Sequence, residues 1–268
     1  LSTTLYLLAV LLFMTSVMSA AWLYCRRAGN SGWTDVFWTF GTGAALAGAA
    51  LASTERADGP MLRQLLSAAL VLIWAGRLGG YVASRVAGKP EDRRYAGFRK
   101  DWGERFQIRM LWVSLIQAPA TALLAISVFA AAHRPGAALD LRDGLAFAVL
   151  AVAIAGEALA DRQMAVFRRD PDNHGRVADT GLWAWSRHPN YFFEWTAWLA
   201  WPVMALDPLQ PASWLTLIAP AVMYLVLTRG SGIPPLEAAM LASRGEAYRR
   251  YQAQTSAFFP LPPRKQGS

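Results

Sequence analysis

The chain has 268 residues, of which 54% are hydrophobic and only 16% charged, with a formal net charge of +8. Soluble domains carry about 25% charged residues, so this composition argues against an ordinary cytosolic enzyme, a disordered chain or a coiled coil. A single cysteine, Cys25, leaves no internal disulfide framework and no cysteine-rich metal site.

A helix needs about 20 apolar residues to cross a hydrocarbon core about 30 Å thick. Seven stretches qualify in chain order. Residues 5–24 come first; their length and the lack of an A-x-A exit favour a span over a cleaved signal peptide. Residues 33–52 follow, rich in Gly and Ala, which suits close helix packing. Residues 62–82 carry Arg77 within the span, and residues 111–132 carry Pro119, where a kink is expected. Residues 141–161 form the fifth span. The sixth and seventh, residues 191–206 and 214–227, are short, which a locally thin bilayer or a neighbouring helix accommodates.

Charge fixes the orientation. With the N-terminus outside, 21 of the 26 lysines and arginines fall in the inner connections and 4 (Arg56, Arg63, Arg134 and Arg142) in the outer ones. That asymmetry is a strong positive-inside signal. The expected fold is an all-α integral membrane protein with seven transmembrane helices, N-terminus outside and C-terminus cytoplasmic. It is a single membrane domain over residues 1–268, with helices one to three in residues 1–110 and helices four to seven in residues 111–268. Its expected location is a bacterial inner membrane. The outer loops are short and the inner ones long, so chemistry with a charged, water-soluble cofactor belongs on the inner side. Pro260, Pro262 and Pro263 mark a fraying end.

A carboxylate at membrane depth is expensive and needs a reason. Glu157 and Asp161, four residues apart, share a helix face at the inner end of the fifth span. They can form a polar ligand site or pair structurally with Arg77 or another helix. Gly181-Leu182-Trp183-Ala184-Trp185-Ser186-Arg187-His188-Pro189-Asn190-Tyr191-Phe192-Phe193-Glu194 follows. Pro189 suits a first helical turn, so the sixth helix should begin there, with Asn190 and Glu194 on one face and Tyr191 and Trp195 at interface depth. Arg187 and His188 at that helix start suit an anion or serve as topology charge. Arg168, Arg169 and Arg176 lie in the polar segment between; arginine forks suit phosphate, although a solvated loop is the plain alternative. The loop Lys89-Pro90-Glu91-Asp92-Arg93-Arg94-Tyr95 mixes signs and reads as folded rather than polybasic. Asp35 at the mouth of the second helix is an isolated acid, either a favourable helix N-terminal charge or a proton donor. The three histidines lack metal-ligand spacing, no G-x-G-x-x-G follows a strand, and no nucleic-acid module is present.

Glu157-x-x-x-Asp161-x-Gln163-x-x-x-Phe167, Pro171-x-Asn173-x-Gly175 and the Gly181–Glu194 motif resemble the bacterial branch of the steroid 5-alpha-reductase family, a group long carried as a domain of unknown function. Arg77 and Glu91-Asp92-x-Arg94-Tyr95 extend the resemblance over nearly the whole chain. It implies an NADPH-dependent oxidoreductase acting on CH–CH groups, reducing a carbon–carbon double bond conjugated to a ketone, as in 3-oxo-Δ4 steroids. It also implies an apolar lipid or steroid-like substrate entering from the bilayer. By that resemblance Asp161, Asn190 and Glu194 hold the cofactor, joined by Glu157, Arg187, His188 and Tyr191, with Arg168, Arg169 and Arg176 near its phosphates. Eukaryotic members bind the substrate ketone with a Glu and a Tyr; here the nearest groups are Asp35 and Tyr81, with Trp74 aligned where the Tyr would fall. This departure leaves the substrate open. Arg187-His188-Pro189-x-Tyr191, Leu236-Glu237 and Glu246-x-Tyr248-x-x-Tyr251 also resemble the isoprenylcysteine carboxyl methyltransferases and phospholipid methyltransferases, which use S-adenosylmethionine. The arginine-bearing segment favours the reductase, because a 2′-phosphate and a diphosphate need cations. A proton-coupled carrier is the third reading.

Overall fold

The computed structural model describes residues 3–52, 61–136 and 138–264; Arg56 of the outer connections lies outside them. The described residues are helical throughout apart from turns and one isolated parallel bridge between Ser186 and Ser256. Along the chain run α1 (Thr3–Ala28), α2 (Trp33–Leu51), α3 (Met61–Val86), α4 (Arg93–Trp102), α5 (Phe106–Leu115), α6 (Gln117–Ala132) and α7 (Leu141–Arg169). Then come α8 (Leu182–Trp185), α9 (Pro189–Trp198), α10 (Ala200–Ala205), α11 (Ile218–Arg229), α12 (Ile233–Arg244) and α13 (Glu246–Gln254). Among the described residues, five helical stretches are long and apolar enough to cross a membrane: Thr4–Ala28, Leu62–Val86, Arg93–Ala132, Leu141–Arg169 and Pro211–Arg244. The expected spans at 33–52 and 191–206 form helices that do not meet that criterion. Gly, Thr and Asp35 dilute the first, and the second is split in two.

Proline explains the interruptions. It has no N–H for the carbonyl four residues back, so a helix stops just before it and restarts with proline in its opening turn. Pro119, Pro202 and Pro220 are each the third residue of their helix, α6, α10 and α11. The break at Ile116 is the kink the sequence predicts. The same rule applied to Pro202 and Pro220 locates the breaks that the continuous spans at 191–206 and 214–227 overlooked. At α9, Pro189 occupies the first turn as expected.

The chain divides into two compact units, Leu1–Phe147 with Ala200–Val222, and Ala148–Leu199 with Met223–Ser268. In the first unit the small residues of α2 do what their composition predicts. A Cβ placed on Gly43 would lie 2.4 Å from the Ala75 Cβ, so α2 and α3 touch backbone to backbone there. The Thr42 and Thr121 hydroxyls, 3.0 Å apart, join α2 to α6. The Lys89–Tyr95 loop is folded, as its mixed charge implies: Glu91 accepts from Arg99 and from the Ser31 N–H, and Asn30 donates to the Lys89 carbonyl.

Arg63 departs from expectation. Counted as an outer-loop charge, it is a residue of α3 with no exposed surface. Its Nε and Nη2 reach the two Asp143 oxygens at 2.9 and 3.1 Å, Nη1 reaches the Arg134 carbonyl at 2.7 Å and Nη2 the Ala138 carbonyl at 2.8 Å. Arg134 adds ion pairs to Asp140 and Asp143. Asp143 lies in the first turn of α7, where the helix dipole favours a carboxylate.

In the second unit the C-terminal segment is not frayed within the described residues. The Arg187 N–H donates to the Ser256 carbonyl at 2.8 Å, the Leu261 N–H to Trp185 at 2.9 Å and the Ser186 hydroxyl to Phe258 at 2.9 Å. Phe258 and Phe259 pack on Phe192, Trp195 and Tyr224. The buried Phe258 ring, with Phe259 packed beside it, offsets the ordering entropy of the strap.

Candidate functional site

The second unit holds ten of the twelve candidate residues. α7 continues eight residues past Asp161, carrying the polar face out of the apolar stretch to Arg168 and Arg169. Glu157 and Asp161 are each only 5% exposed, and Glu194 on α9 likewise. Glu194 accepts from the Trp198 indole at 3.1 Å. Arg168, Arg169 and Arg176 are exposed. Seven residues of helix separate Asp161 from Arg168, a rise of about 10 Å, so one helix carries both a buried carboxylate and a solvent-facing cation. Asn190 and Tyr191 open α9, with Tyr191 stacked on His188 at 5.7 Å between ring centroids.

The Gly181–Glu194 motif is tied to α7 at two points. The Gln163 side-chain oxygen accepts the Leu182 N–H at 2.9 Å, and the Trp183 indole donates to the Ala160 carbonyl at 3.0 Å. Gly181 makes the first contact possible: its φ is +59°, and a Cβ there would lie 2.7 Å from the Gln163 amide oxygen. Gly181→Ala should therefore cost about 1–3 kcal/mol, read as a lower unfolding temperature in detergent. A groove of about 480 Å³ beside this junction is lined by Leu159, Gln163, Gly181, Leu182, Trp185, Phe193 and Pro260.

Arg187 and His188 are fixed by a residue the site reading left out. Glu237 on α12 takes Arg187 Nε at 2.6 Å and Nη2 at 3.1 Å, with His188 Nε2 at 3.2 Å. Gln252 reaches it at 2.9 Å and the Tyr248 hydroxyl at 3.4 Å. Arg187 Nη1 bonds the Gln252 and Thr255 carbonyls. Every nitrogen of the Arg187 guanidinium thus has a protein partner, which makes Arg187 a positioning group for the start of α9 rather than an open phosphate ligand. The signal that finds Glu237 is the Leu236-Glu237 pair, quoted above for the methyltransferase resemblance alone. Arg244, also passed over, donates from Nε to the Arg176 carbonyl at 3.1 Å and adds a cation to that exposed face.

Burial pushes His188 below its ordinary value of 6.5; Glu237 pulls it back up and Arg187 reinforces the depression. Burial likewise raises the Tyr248 and Tyr251 hydroxyls, keeping both protonated donors. The unfolded chain protonates this histidine near 6.5 while the folded one stays neutral to lower pH. The His188 contribution is therefore intact above about pH 6.5 and is lost as pH falls through the folded value. Unfolding temperature should drop on acidification from about pH 7 to 5, and His188→Gln should flatten the drop.

Asp35 and Tyr81, the two candidates for the substrate carbonyl, belong to the first unit. Asp35 accepts from the Tyr95 hydroxyl at 2.8 Å and from Arg94 Nη2. The Tyr81 ring has Arg77 at 5.5 Å and Arg85 at 5.7 Å from its centroid.

A family model described as a protein of unknown function (DUF1295) matches residues 21–255. No curated protein and no solved structure matches the chain.

Proposed function

The chain belongs to the DUF1295 family, which is related to steroid 5-alpha-reductase-like membrane proteins, and on that premise we propose that it is an NADPH-dependent membrane reductase of an enone carbon–carbon double bond in an apolar, 3-oxo-Δ4 steroid-like substrate. The proposed setting is a seven-span protein of a bacterial inner membrane with its C-terminus in the cytoplasm. The observation that carries the reading is α7, which leads from two buried carboxylates, Glu157 and Asp161, to the exposed Arg168 and Arg169.

That donor and acceptor set fits a dinucleotide. Arg168, Arg169 and Arg176 supply cations for phosphate, while Glu157, Asp161 and Glu194 supply buried acceptors for ribose hydroxyls or a carboxamide. When bound, NADPH supplies the hydride that adds to the β-carbon of the enone; a proton at the α-carbon completes the reduction. The chain's own part is to bind, orient and keep water out. Asn190, Tyr191 and Glu194 line the start of α9, whose entry angle Arg187 and His188 fix through Glu237. A donor to the ketone oxygen stabilises the charge that develops there. Asp35 already accepts from Arg94 and Tyr95, so Tyr81, which carries its own proton, is the better donor of the pair.

Asp161→Ala should weaken NADPH binding about tenfold to a hundredfold, the worth of one or two hydrogen bonds to a carboxylate. The check is a fluorescence titration of the purified protein with NADPH, followed by turnover on an enone. Unchanged affinity and turnover would remove Asp161 from the site.

One observation favours the second reading, an S-adenosylmethionine-dependent methyltransferase of the isoprenylcysteine or phospholipid type. Of the residues quoted for that resemblance, Arg187, His188 and Tyr248 converge on the Glu237 carboxylate. Mass spectrometry of the ligand released on denaturation separates the two: NADP(H) supports the reductase, and S-adenosylmethionine or its demethylated product supports the methyltransferase.

A further inference from the structure

Basic and apolar side chains share one exposed sector at α5 and its flanking residues. Ile108 and Trp112 of α5 and Ile116 just past its end, each four residues apart, are 53%, 68% and 66% exposed. Side chains at that spacing form one stripe along a helix. In a chain with several membrane-length helices this is a lipid-facing stripe, with Trp112 the kind of residue that settles at the interface. Arg105, which closes the 3-10 turn just before α5, precedes Ile108 by three residues, and Arg109 sits between Ile108 and Trp112 in the same sector; both are exposed. The Arg109 guanidinium sits 5.6 Å from the centroid of the Trp102 ring, within cation–π range. Trp102 is in turn stacked on Phe98 at 4.6 Å and 7°. Among the described residues neither arginine makes an ion pair; Asp101 and Glu104 are the nearby exposed acids.

We propose that Arg105 and Arg109, at the start of α5, bind the phosphate headgroup of an anionic bilayer lipid, whose acyl chains run along the exposed Trp112 and Ile116 further down. Charge complementarity selects the occupant. Two exposed guanidinium groups suit a phosphate diester that keeps a net negative charge, and the exposed Trp112 and Ile116 further along the helix suit the chains attached to it. A zwitterionic lipid offers the same chains but cancels the headgroup charge. The face is built entirely within the first unit and owes nothing to the activity proposed above.

The test uses the full chain in nanodiscs of phosphatidylcholine with a minor share of phosphatidylglycerol. Native mass spectrometry after release counts the lipids retained. Each basic residue near an anionic lipid surface contributes roughly a fivefold factor, so with two of them the wild-type protein should retain phosphatidylglycerol about twenty-fivefold over its bulk share. R105A/R109A should bring retention to the bulk ratio, while R105K/R109K keeps most of the enrichment. Raising salt to about 1 M, where the Debye length is about 3 Å, should lower wild-type enrichment without any substitution. Absence of enrichment in the wild type, or unchanged enrichment in R105A/R109A, overturns the proposal.

Discussion

Arg63→Ala should lower folding stability by about 3–5 kcal/mol, the largest loss expected from a single truncation in the first unit. The reason is asymmetry. Arg63 is fully buried and Asp143 nearly so, with side-chain exposures of 0% and 2%. Removing the guanidinium leaves the Asp143 carboxylate with Arg134 and a backbone N–H, and strips the Arg134 and Ala138 carbonyls of a donor. A buried group left without its partner costs its full desolvation. Asp143→Ala should cost a similar amount, because it strands the guanidinium instead. Arg63→Met with Asp143→Leu should recover part of the loss, since replacing both partners removes the stranded charge, while the Arg134 and Ala138 carbonyls still lack their donor. Unfolding of the detergent-solubilised variants, followed by tryptophan fluorescence, gives the comparison. Single variants within about 1 kcal/mol of wild type would mean that water reaches the cluster.

The same cluster shows what a sequence can and cannot disclose. Helix positions are legible because apolar runs and prolines act locally: Pro189 and Pro119 announce a start and a break with no knowledge of neighbours. Partnership is not local. Arg63 and Asp143 are 80 residues apart, so a charge tally places Arg63 with solvent-facing loops although it is the largest fully buried side chain among the described residues. The tail fails for a related reason. Three prolines in a short segment read as fraying, because proline's missing N–H is visible in sequence and the docking of Phe258 on Phe192 and Trp195 is not. In the candidate site, Asp161, Asn190 and Glu194 stand out through the local rule that acids and amides are costly in apolar surroundings. Glu237 obeys the same rule, an acid among Ile233, Leu236, Ala238, Ala239, Met240 and Leu241 of α12, but α12 lies beyond the last expected span, and its partnership with Arg187 and His188 follows only from the fold.

Glu237→Ala is accordingly the most informative change in the second unit, with an expected loss of about 2–4 kcal/mol. The upper range applies to fully buried pairs; Arg187 is 10% and Glu237 16% exposed, so some solvent screening remains. Truncation removes the acceptor of five donor atoms from four residues. Arg187 keeps its bonds to the Gln252 and Thr255 carbonyls, but its charge has no counterpart there. Glu237→Gln should cost less than Glu237→Ala, because the amide oxygen still accepts from one Arg187 nitrogen, although the amide nitrogen then faces the other. Arg187→Met alone should cost about as much as Glu237→Ala, and the double variant less than the sum, giving a coupling of about 1–3 kcal/mol in the cycle. The cycle also separates two roles for Arg187. If it positions the start of α9, cofactor affinity and unfolding temperature fall together in both single variants. If it contacts phosphate directly, Arg187→Met weakens NADPH binding far more than Glu237→Ala does at equal loss of stability. The bond pattern, with each guanidinium nitrogen engaged by protein, favours the first outcome.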